Sequence, residues 1–313
     1  MSDGVTFIIT VYNKARYLPA VIAALKSQQG PFKREFIFVD DGSSDGSAEI
    51  LRREARNLPN TTIVTQANSG PAIATNRGAA LARYRYLKLV DGDDVLAPDA
   101  AALLLDAMKQ TRAGLAFGKA GDYGFGDGGR ALVPPPKGDS AIQEISDPLW
   151  DALSLCTINP SMMMVRKDIF RQAGGADERV FIQDYSLWLR CAAITTFARV
   201  ERDICFLPPP STERLSQSKA QILHDINLAL ALFLEDNPKL PRPYINRAAR
   251  RAAARAWLWA RRERGGLEIV PALLRYAAGV TGVVGDEPSF IRSTLNVYGQ
   301  VRVAPSDAEE ARG

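Results

Sequence analysis

Histidine and cysteine are nearly absent from this 313-residue chain, which holds one His (His224) and three Cys (Cys156, Cys191 and Cys205). A lone histidine argues against a conventional Ser-His-Asp triad, and HExxH does not occur. The cysteines lie far apart with no CxxC pair, so they read as reduced, buried thiols of a cytosolic protein, not as a disulfide framework. No apolar stretch reaches the length of a membrane span; residues 269–284 are interrupted by Pro271 and Arg275. The N-terminus lacks a charged n-region, and Phe7–Thr10 is too short for a signal core. The expected location is therefore the cytoplasm, with the inner face of the membrane as the surface it could visit. Charge of one sign is also missing: 39 basic against 35 acidic side chains leave a net +4, which gives no argument for a nucleic-acid partner.

What the chain has is an ordinary globular composition, 46% hydrophobic and 24% charged, enough for one large domain or two smaller ones. Its first hundred residues alternate strand and helix. Val5–Val11, Glu35–Val39, Thr61–Gln66 and Tyr86–Val90 read as buried strands, separated by helical periodicity over 15–29, 47–54 and 72–83. That order predicts an α/β fold: a single Rossmann-like, mostly parallel sheet with helices on both faces. From residue 114 the pattern loosens into a strand at 115–119, a Gly/Asp/Pro-rich stretch over 120–140, and helix, strand and helix over 149–155, 161–166 and 168–173. A further helix covers 184–193. Beyond 216 three helices are expected, over 219–235, 244–264 and 267–284. The domain expectation is 1–215 for the catalytic domain, 216–303 for a C-terminal helical region and 304–313 for a disordered tail.

Carboxylates arrive where the strands stop. Asp40-Asp41 follow the second strand, and Asp91, Asp93 and Asp94 follow the fourth within four positions. Buried like charges need a partner, so the chain must leave the sheet there. In an open parallel sheet those ends share one edge, where ligands bind. An Asp-x-Asp turn suits Mg²⁺ or Mn²⁺ held together with phosphate oxygens. The plainer alternative is a solvated turn leading through Asp99 into the next helix.

Taken in series, these residues become recognisable. Val5-Thr-Phe-Ile-Ile-Thr-Val-Tyr-Asn13, Phe38-Val-Asp-Asp-Gly-Ser-Ser-Asp45, Asn68-Ser-Gly70, Asn76-Arg-Gly78 and Val90-Asp-Gly-Asp-Asp94 resemble the family-two glycosyltransferases of GT-A fold. Asn159-Pro-Ser161, Gly174-Gly-Ala-Asp-Glu178 and Gln183-Asp-Tyr-Ser-Leu-Trp-Leu-Arg190 continue the match, in order, to about residue 215. The resemblance implies that Thr10 and Tyr12 line a nucleotide pocket, that Asp41 accepts a hydrogen bond from the base, and that Asp91 meets the ribose or metal-bound water. It implies Asp93 as the direct metal ligand and Asp184 as the catalytic base. The chain departs from the family at Gln183, where an acid is usual. Read this way, the protein moves a sugar with inversion from a nucleotide-diphospho sugar, UDP-linked, to a saccharide or lipid-linked saccharide. The setting would be surface polysaccharide, lipopolysaccharide or glycolipid synthesis, with Mn²⁺ or Mg²⁺ as cofactor.

Alternatives stand beside several of these residues. Asp41 could close an Asx-turn, Asp184 could face its own helix terminus, and Arg77 could touch a phosphate or cover a helix surface. Trp188 could stack on an acceptor or pack in the core. His224 could reach a metal, or face solvent on its helix. Arg214 and Lys219 could close over a diphosphate. Gly124-Phe-Gly-Asp-Gly-Gly129 spells G-x-G-x-x-G but precedes no helix, so it reads as a loop or hairpin tip. Between Arg242 and Arg264 lie eight arginines and one acid, followed along the stripe by Trp257 and Trp259. This stretch is either a basic helix for an inner-leaflet surface or a solvated arginine face on an alanine-rich helix. Two other functions compete: a non-catalytic sugar-nucleotide or glycan-binding protein, and a nucleotidyltransferase. Val-Tyr-Asn-Lys after the first strand lacks the glycines that the latter needs.

Overall fold

The computed structural model describes residues 4–154, 158–210, 218–264, 266–282, 286–299 and 301–302. In chain order its elements are β1 (Gly4–Val11), α1 (Leu18–Lys26), β2 (Lys33–Asp40), α2 (Ser47–Glu54), β3 (Thr61–Thr65), α3 (Pro71–Leu81), β4 (Tyr86–Asp91), β5 (Val95–Leu96), α4 (Ala100–Thr111), β6 (Leu115–Asp122), β7 (Gly124–Phe125), β8 (Ala131–Leu132) and β9 (Gly138–Ile145). They continue with α5 (Pro148–Ala152), β10 (Met163–Arg166), α6 (Lys167–Gln172), α7 (Asp184–Ala192), β11 (Phe197–Leu207), α8 (Lys219–Asp236), α9 (Arg242–Glu263), α10 (Val270–Thr281) and α11 (Glu287–Ser293). Two compact units emerge. One comprises Met1–Pro148, Ile158–Ala176 and Cys191–Pro210; the other Leu149–Thr157, Asp177–Arg190 and Ser211–Gly313.

The first unit is built on a nine-stranded sheet ordered β3-β2-β1-β4-β10-β6-β11-β5, with β9 also on β11. Strands β3, β2, β1 and β4 run parallel; β2, β1 and β4 are rich in apolar residues, as strands covered on both faces require, whereas β3, TTIVT, is half-exposed at the end of the sheet. Strand β10 is antiparallel to both β4 and β6, and β5 and β9 are antiparallel to β11, so the sheet is more mixed than the alternation over residues 1–100 implied. Side chains alternate along β1: Val5, Phe7, Ile9 and Val11 join the core formed with α1 and α4. Ile8 points the other way, where a Cβ on Gly78 would fall 2.4 Å from its Cγ2. Helix α3 can lie that close to the sheet only because residue 78 is glycine. Neither β9 nor β11 shows in the residue pattern; β11 carries four charged residues among its eleven, which breaks any clean period. The G-x-G-x-x-G stretch forms the β7–β8 hairpin.

The second unit is helical. Residues 225–234 of α8 are all buried, so that helix is enclosed on every side. Helix α9 presents a stripe of alanines, Ala248, Ala249, Ala252, Ala253, Ala256 and Ala260, to its neighbours. Asn227, fully buried on α8, ties the unit together. Its Nδ2 donates to Ala252 O, Thr294 Oγ1 and Tyr298 Oη, and its Oδ1 accepts from Arg255 Nε at 2.9 Å. Burial pushes the Tyr298 phenol upward. No helix among the described residues is long and apolar enough to cross a membrane.

Candidate active site

The site grows from the carboxyl ends of β1, β2 and β4. Register places Thr10 beside Val39 and Asp91, and Val11 beside Asp40. The connections then lock tip to tip: Asp41 N–H donates to Val11 O at 2.8 Å and Gly92 N–H to Thr10 O at 2.9 Å. Beyond β1 the amides of residues 13–15 are held by side chains of the β2–α2 connection. Asn13 N–H donates to Ser43 Oγ, Lys14 N–H to Ser47 Oγ and Ala15 N–H to Asp45 Oδ2. Asn13 adopts a left-handed φ of 54°, which asparagine tolerates, and its Oδ1 accepts from Ser44 N–H. Helix α1 starts at Leu18, not at Ala15, and Tyr12 is 47% exposed at the lip.

Asp41 makes no Asx-turn. Its buried carboxylate accepts from Gln66 Nε2 (2.8 Å), Ser69 N–H (2.9 Å) and Gly70 N–H (2.9 Å), and so holds the loop that enters α3. The local turn is closed by its neighbour, with Ser43 N–H donating to Asp40 Oδ1. Arg77, exposed on α3, reaches the same cluster through Gln66, its Nη1 lying 3.1 Å from Gln66 Oε1. The motif residue Asn76 grips the backbone of Ala176 at both ends of its amide, at 2.8 and 2.9 Å. Gly175, at φ +73°, leaves room for that amide; a Cβ there would stand 2.5 Å from Asn76 Oδ1.

The Asp91–Asp94 turn is not the solvated turn of the plainer reading. Asp93 and Asp94 are 3% and 0% exposed. Asp93 Oδ2 accepts from Lys14 Nζ at 2.7 Å, and the Tyr123 hydroxyl donates to Asp93 O. Asp94 Oδ2 accepts from Asn159 Nδ2 at 2.7 Å, while Ser161 Oγ accepts from Asp91 N–H at 2.9 Å. Asn159-Pro-Ser161 is thus the buttress of the turn, a role that its sequence alone did not disclose. Burial pushes the Asp94 carboxyl well above the usual range. The negative charges of Asp91 and Asp93 push it the same way, against donation from Asn159 and Ser161. Behind the turn, Lys88 is fully buried and donates to Leu89 O and Ser161 O. Asp99 caps no helix by its side chain; it pairs with Arg202 at 3.0 Å. Among the described residues no three acidic, histidine or cysteine side chains converge into a metal cage. Asp93, however, already holds a cation in the form of the Lys14 ammonium, which shows that the pocket suits positive charge.

Thr10, Tyr12, Asp41, Asp91 and Asp93 therefore share one edge of the first unit, with Arg77 joined to Asp41 through Gln66. Asp184 belongs to the second unit. It opens α7 half-buried, after a segment fixed by Ile182 N–H donating to Asp225 Oδ2 at 2.8 Å and by Gln183 O accepting from Ser186 and Leu187. The Gln183 side chain is buried, and Trp188 packs in the core. Arg190, which ends this motif, lies 3.5 Å from Asp177 of the Gly-Gly-Ala-Asp-Glu motif. His224 is not solvent-facing: Asp225 Oδ1 lies 2.8 Å from its Nδ1, and its ring meets Tyr298 edge-on. Arg214, Cys156 and the 304–313 tail lie outside the described residues.

A family model described as glycosyl transferase family 2 matches residues 6–174. The glycosyltransferase GlyG of Streptococcus pneumoniae serotype 4 is 26% identical over 189 residues, covering 58% of this chain. The match spans 62% of GlyG, so the chain covers less than two thirds of the length of that curated relative. Among solved structures, Staphylococcus aureus TarS 1–349 in complex with UDP-GlcNAc superposes with a TM-score of 0.66 at 16% identity, over 94% of this chain and 89% of that one. The mannosyltransferase PcManGT of Pyrobaculum calidifontis, in complex with GDP-Man and Mn²⁺, gives 0.63 at 16% identity, over 95% and 88%. These structures establish the GT-A type of fold, and the family match over more than half of the sequence establishes the rest: the chain belongs to glycosyl transferase family 2.

Proposed function

We infer that this transferase takes a nucleotide-diphospho sugar, UDP-linked, and passes the sugar with inversion to a saccharide or lipid-linked saccharide acceptor in surface polysaccharide or glycolipid synthesis. The observation that carries the reading is the convergence of Thr10, Asp41, Asp91 and Asp93 on one sheet edge, with a cation already seated on buried Asp93. UDP-GlcNAc on TarS and GDP-Man with Mn²⁺ on PcManGT support a nucleotide-sugar donor and a divalent ion. Tyr12 and Thr10 would line the nucleotide, with Asp41 toward the base, Arg77 close by and Asp91 toward the ribose. Asp93, with Asp91, offers too few ligands for a complete cage but suits Mn²⁺ or Mg²⁺ sharing the donor's phosphate oxygens. Such an ion would stabilise the leaving diphosphate as a Lewis acid. Asp184 would take the proton of the acceptor hydroxyl as its oxygen bonds to the anomeric carbon and the diphosphate departs from the opposite face. General-base help of this kind contributes about 10²–10⁴-fold. One base and no covalent nucleophile means a single displacement, hence inversion. Residues 1–215 would form the catalytic part and 216–303 a helical appendage that brings the enzyme, cytoplasmic by this reading, to the inner membrane leaflet.

Calorimetric titration of UDP, GDP, CDP and dTDP, each with Mn²⁺ and with chelator, tests the donor site. Metal-dependent binding of UDP, lost in Asp93→Ala, is expected; folded protein that binds none of the four refutes the donor reading. Asp184→Asn should keep nucleotide binding and lose transfer.

A further inference from the structure

Residues 177–190, which carry Asp184, belong to the helical unit, and α8 grips them at two points. At the first, the buried side chain of Asp225 accepts the Ile182 amide on its Oδ2 at 2.8 Å. Gln183 follows as the residue whose carbonyl opens α7, and Asp184 is the first residue of that helix. The fixed amide is therefore only two residues from the carboxylate. Asp225 Oδ1 is committed as well: it accepts from Gln221 Nε2 at 3.0 Å and lies 2.8 Å from His224 Nδ1. Gln221 in turn pairs with the Arg302 backbone at both ends of its amide, at 2.7 and 3.0 Å. The Arg302 guanidinium stands 5.8 Å from the centre of the Phe181 ring, just ahead of Ile182. At the second point Asp236, the last residue of α8, accepts from Arg179 at 2.5 Å and lies 3.6 Å from Arg190. Both arginines also meet Asp177, at 2.9 and 3.5 Å, so one charge network joins the start of the segment to the end of α7. Between the two points Tyr185, the neighbour of Asp184, is buried and its hydroxyl donates to Ala152 O at 2.8 Å.

A carboxylate enclosed like that of Asp225 is costly unless its partners repay the lost hydration, and a neutral acceptor would hold a turn equally well. What the charge adds is a shorter bond to the amide, roughly twice as strong as a neutral pair. Helix α8 is a firm support for that bond, since its residues 225–234 are all buried. A general base needs such firmness. Its carboxylate must come within hydrogen-bond reach of the acceptor hydroxyl, and a displacement of about 1 Å can cost about 10²-fold in rate. Hydrogen bonds that surround a reacting group, without touching the substrate, supply precision of this kind.

We propose that Asp225 and Asp236 are positioning residues for Asp184. Through the Ile182 amide and the Arg179 and Arg190 guanidiniums they fix the start and the end of the segment, and so aim the carboxylate that opens α7. Both act through the backbone and helix that carry the base, not on the substrates. Their role rests on the base reading of Asp184 given above. It gives the 216–303 region a part in the reaction besides the membrane role proposed for it, because α8 lies within that region. The competing account is that both acids merely hold the fold together.

The test places Asp225→Leu and Asp236→Asn, each singly, in the wild-type full chain and in Asp184→Asn. Nucleotide release is followed with Mn²⁺ from UDP-GlcNAc, UDP-glucose, GDP-mannose and dTDP-glucose, keeping whichever the wild type turns over. In the wild-type background kcat should fall about 10²-fold for Asp225→Leu and about tenfold for Asp236→Asn, with donor KM and Mn²⁺-dependent nucleotide affinity unchanged. In Asp184→Asn neither change should lower the residual rate further, because a base that is absent cannot be misplaced. Should Asp225→Leu fail to fold, Asp236→Asn carries the same test at a side chain that is 38% exposed. Hydrogen exchange reads the segment without turnover: peptides over 177–190 should exchange about tenfold faster in both variants, while those over β1 keep their protection. Unchanged kcat in a folded variant, a loss that repeats in full in Asp184→Asn, or unchanged exchange over 177–190 overturns the proposal. Wild-type kcat in Asp184→Asn alone refutes the base reading, and the positioning role with it. That result involves neither Asp225 nor Asp236, so the two failures are distinguishable.

Discussion

Lys88 offers the sharpest quantitative check on the charge balance behind the Asp91–Asp94 turn. Its ammonium is fully buried in β4, with Leu89 O at 2.9 Å and Ser161 O at 2.6 Å as acceptors. Burial lowers it from 10.5 to about 8, with Cys205, Asp94 and Asp91 offsetting only part of that drop. An unfolded chain keeps the proton up to about pH 10.5, whereas the folded protein releases it near 8. Between those values the unfolded state binds more protons, so stability must rise with pH across that window. At about 1.4 kcal/mol per pH unit, the gain over the window is about 3 kcal/mol. The assay is urea unfolding from about pH 7 to about pH 10.5 on wild type and Lys88→Met, a change that keeps length and removes the charge. Tyrosines and cysteines titrate in both proteins, so the difference between the two stability curves isolates Lys88. That difference should shift by about 3 kcal/mol in favour of the wild type on going from the low to the high end. Curves that stay parallel would refute the buried-ammonium account.

Three further outcomes follow from the same geometry. Lys14→Met should tighten Mn²⁺ binding about tenfold, because a charge-assisted bond worth about 1.5 kcal/mol no longer competes for Asp93; titration with Mn²⁺ alone reads this, and unchanged affinity would mean that Lys14 is no competitor. Asn76→Ala strips two hydrogen bonds from Ala176 and should cost about 2 kcal/mol in denaturant unfolding. Gly78→Ala must move α3 off Ile8 and should cost about 1–3 kcal/mol, with a loss below about 0.5 kcal/mol arguing against that close approach.

Local pattern was enough to find what is local. Continuous apolar runs located β1, β2 and β4, and the carboxylates that follow β2 and β4 located the edge where they stop, because a strand buried on two faces tolerates no charge until it leaves the sheet. The serial motifs located the family for the same reason: several sit in strand-end turns whose backbone demands are written in a few adjacent residues, as with Asn13. Partners distant in sequence were not legible. Nothing near Asn159 says that its amide will meet Asp94, or that Ser161 will accept from the Asp91 amide, sixty-five and seventy positions away. Strand β9 is not legible because edge pairing tolerates charge, and β11 because its four charged residues blur the period.

By itself, then, the sequence determined the alternating α/β plan, the strand-end carboxylates and membership in the family, all carried by short-range periodicity and turn chemistry. Only the tertiary structure decided that Asp93 and Asp94 are buried, that Asp41 clamps a loop and makes no turn of its own, and that His224 is held by Asp225. Each of those depends on which groups three-dimensional packing brings within about 3 Å of one another, and hydrogen bonds and burial are set by that distance, not by position along the chain.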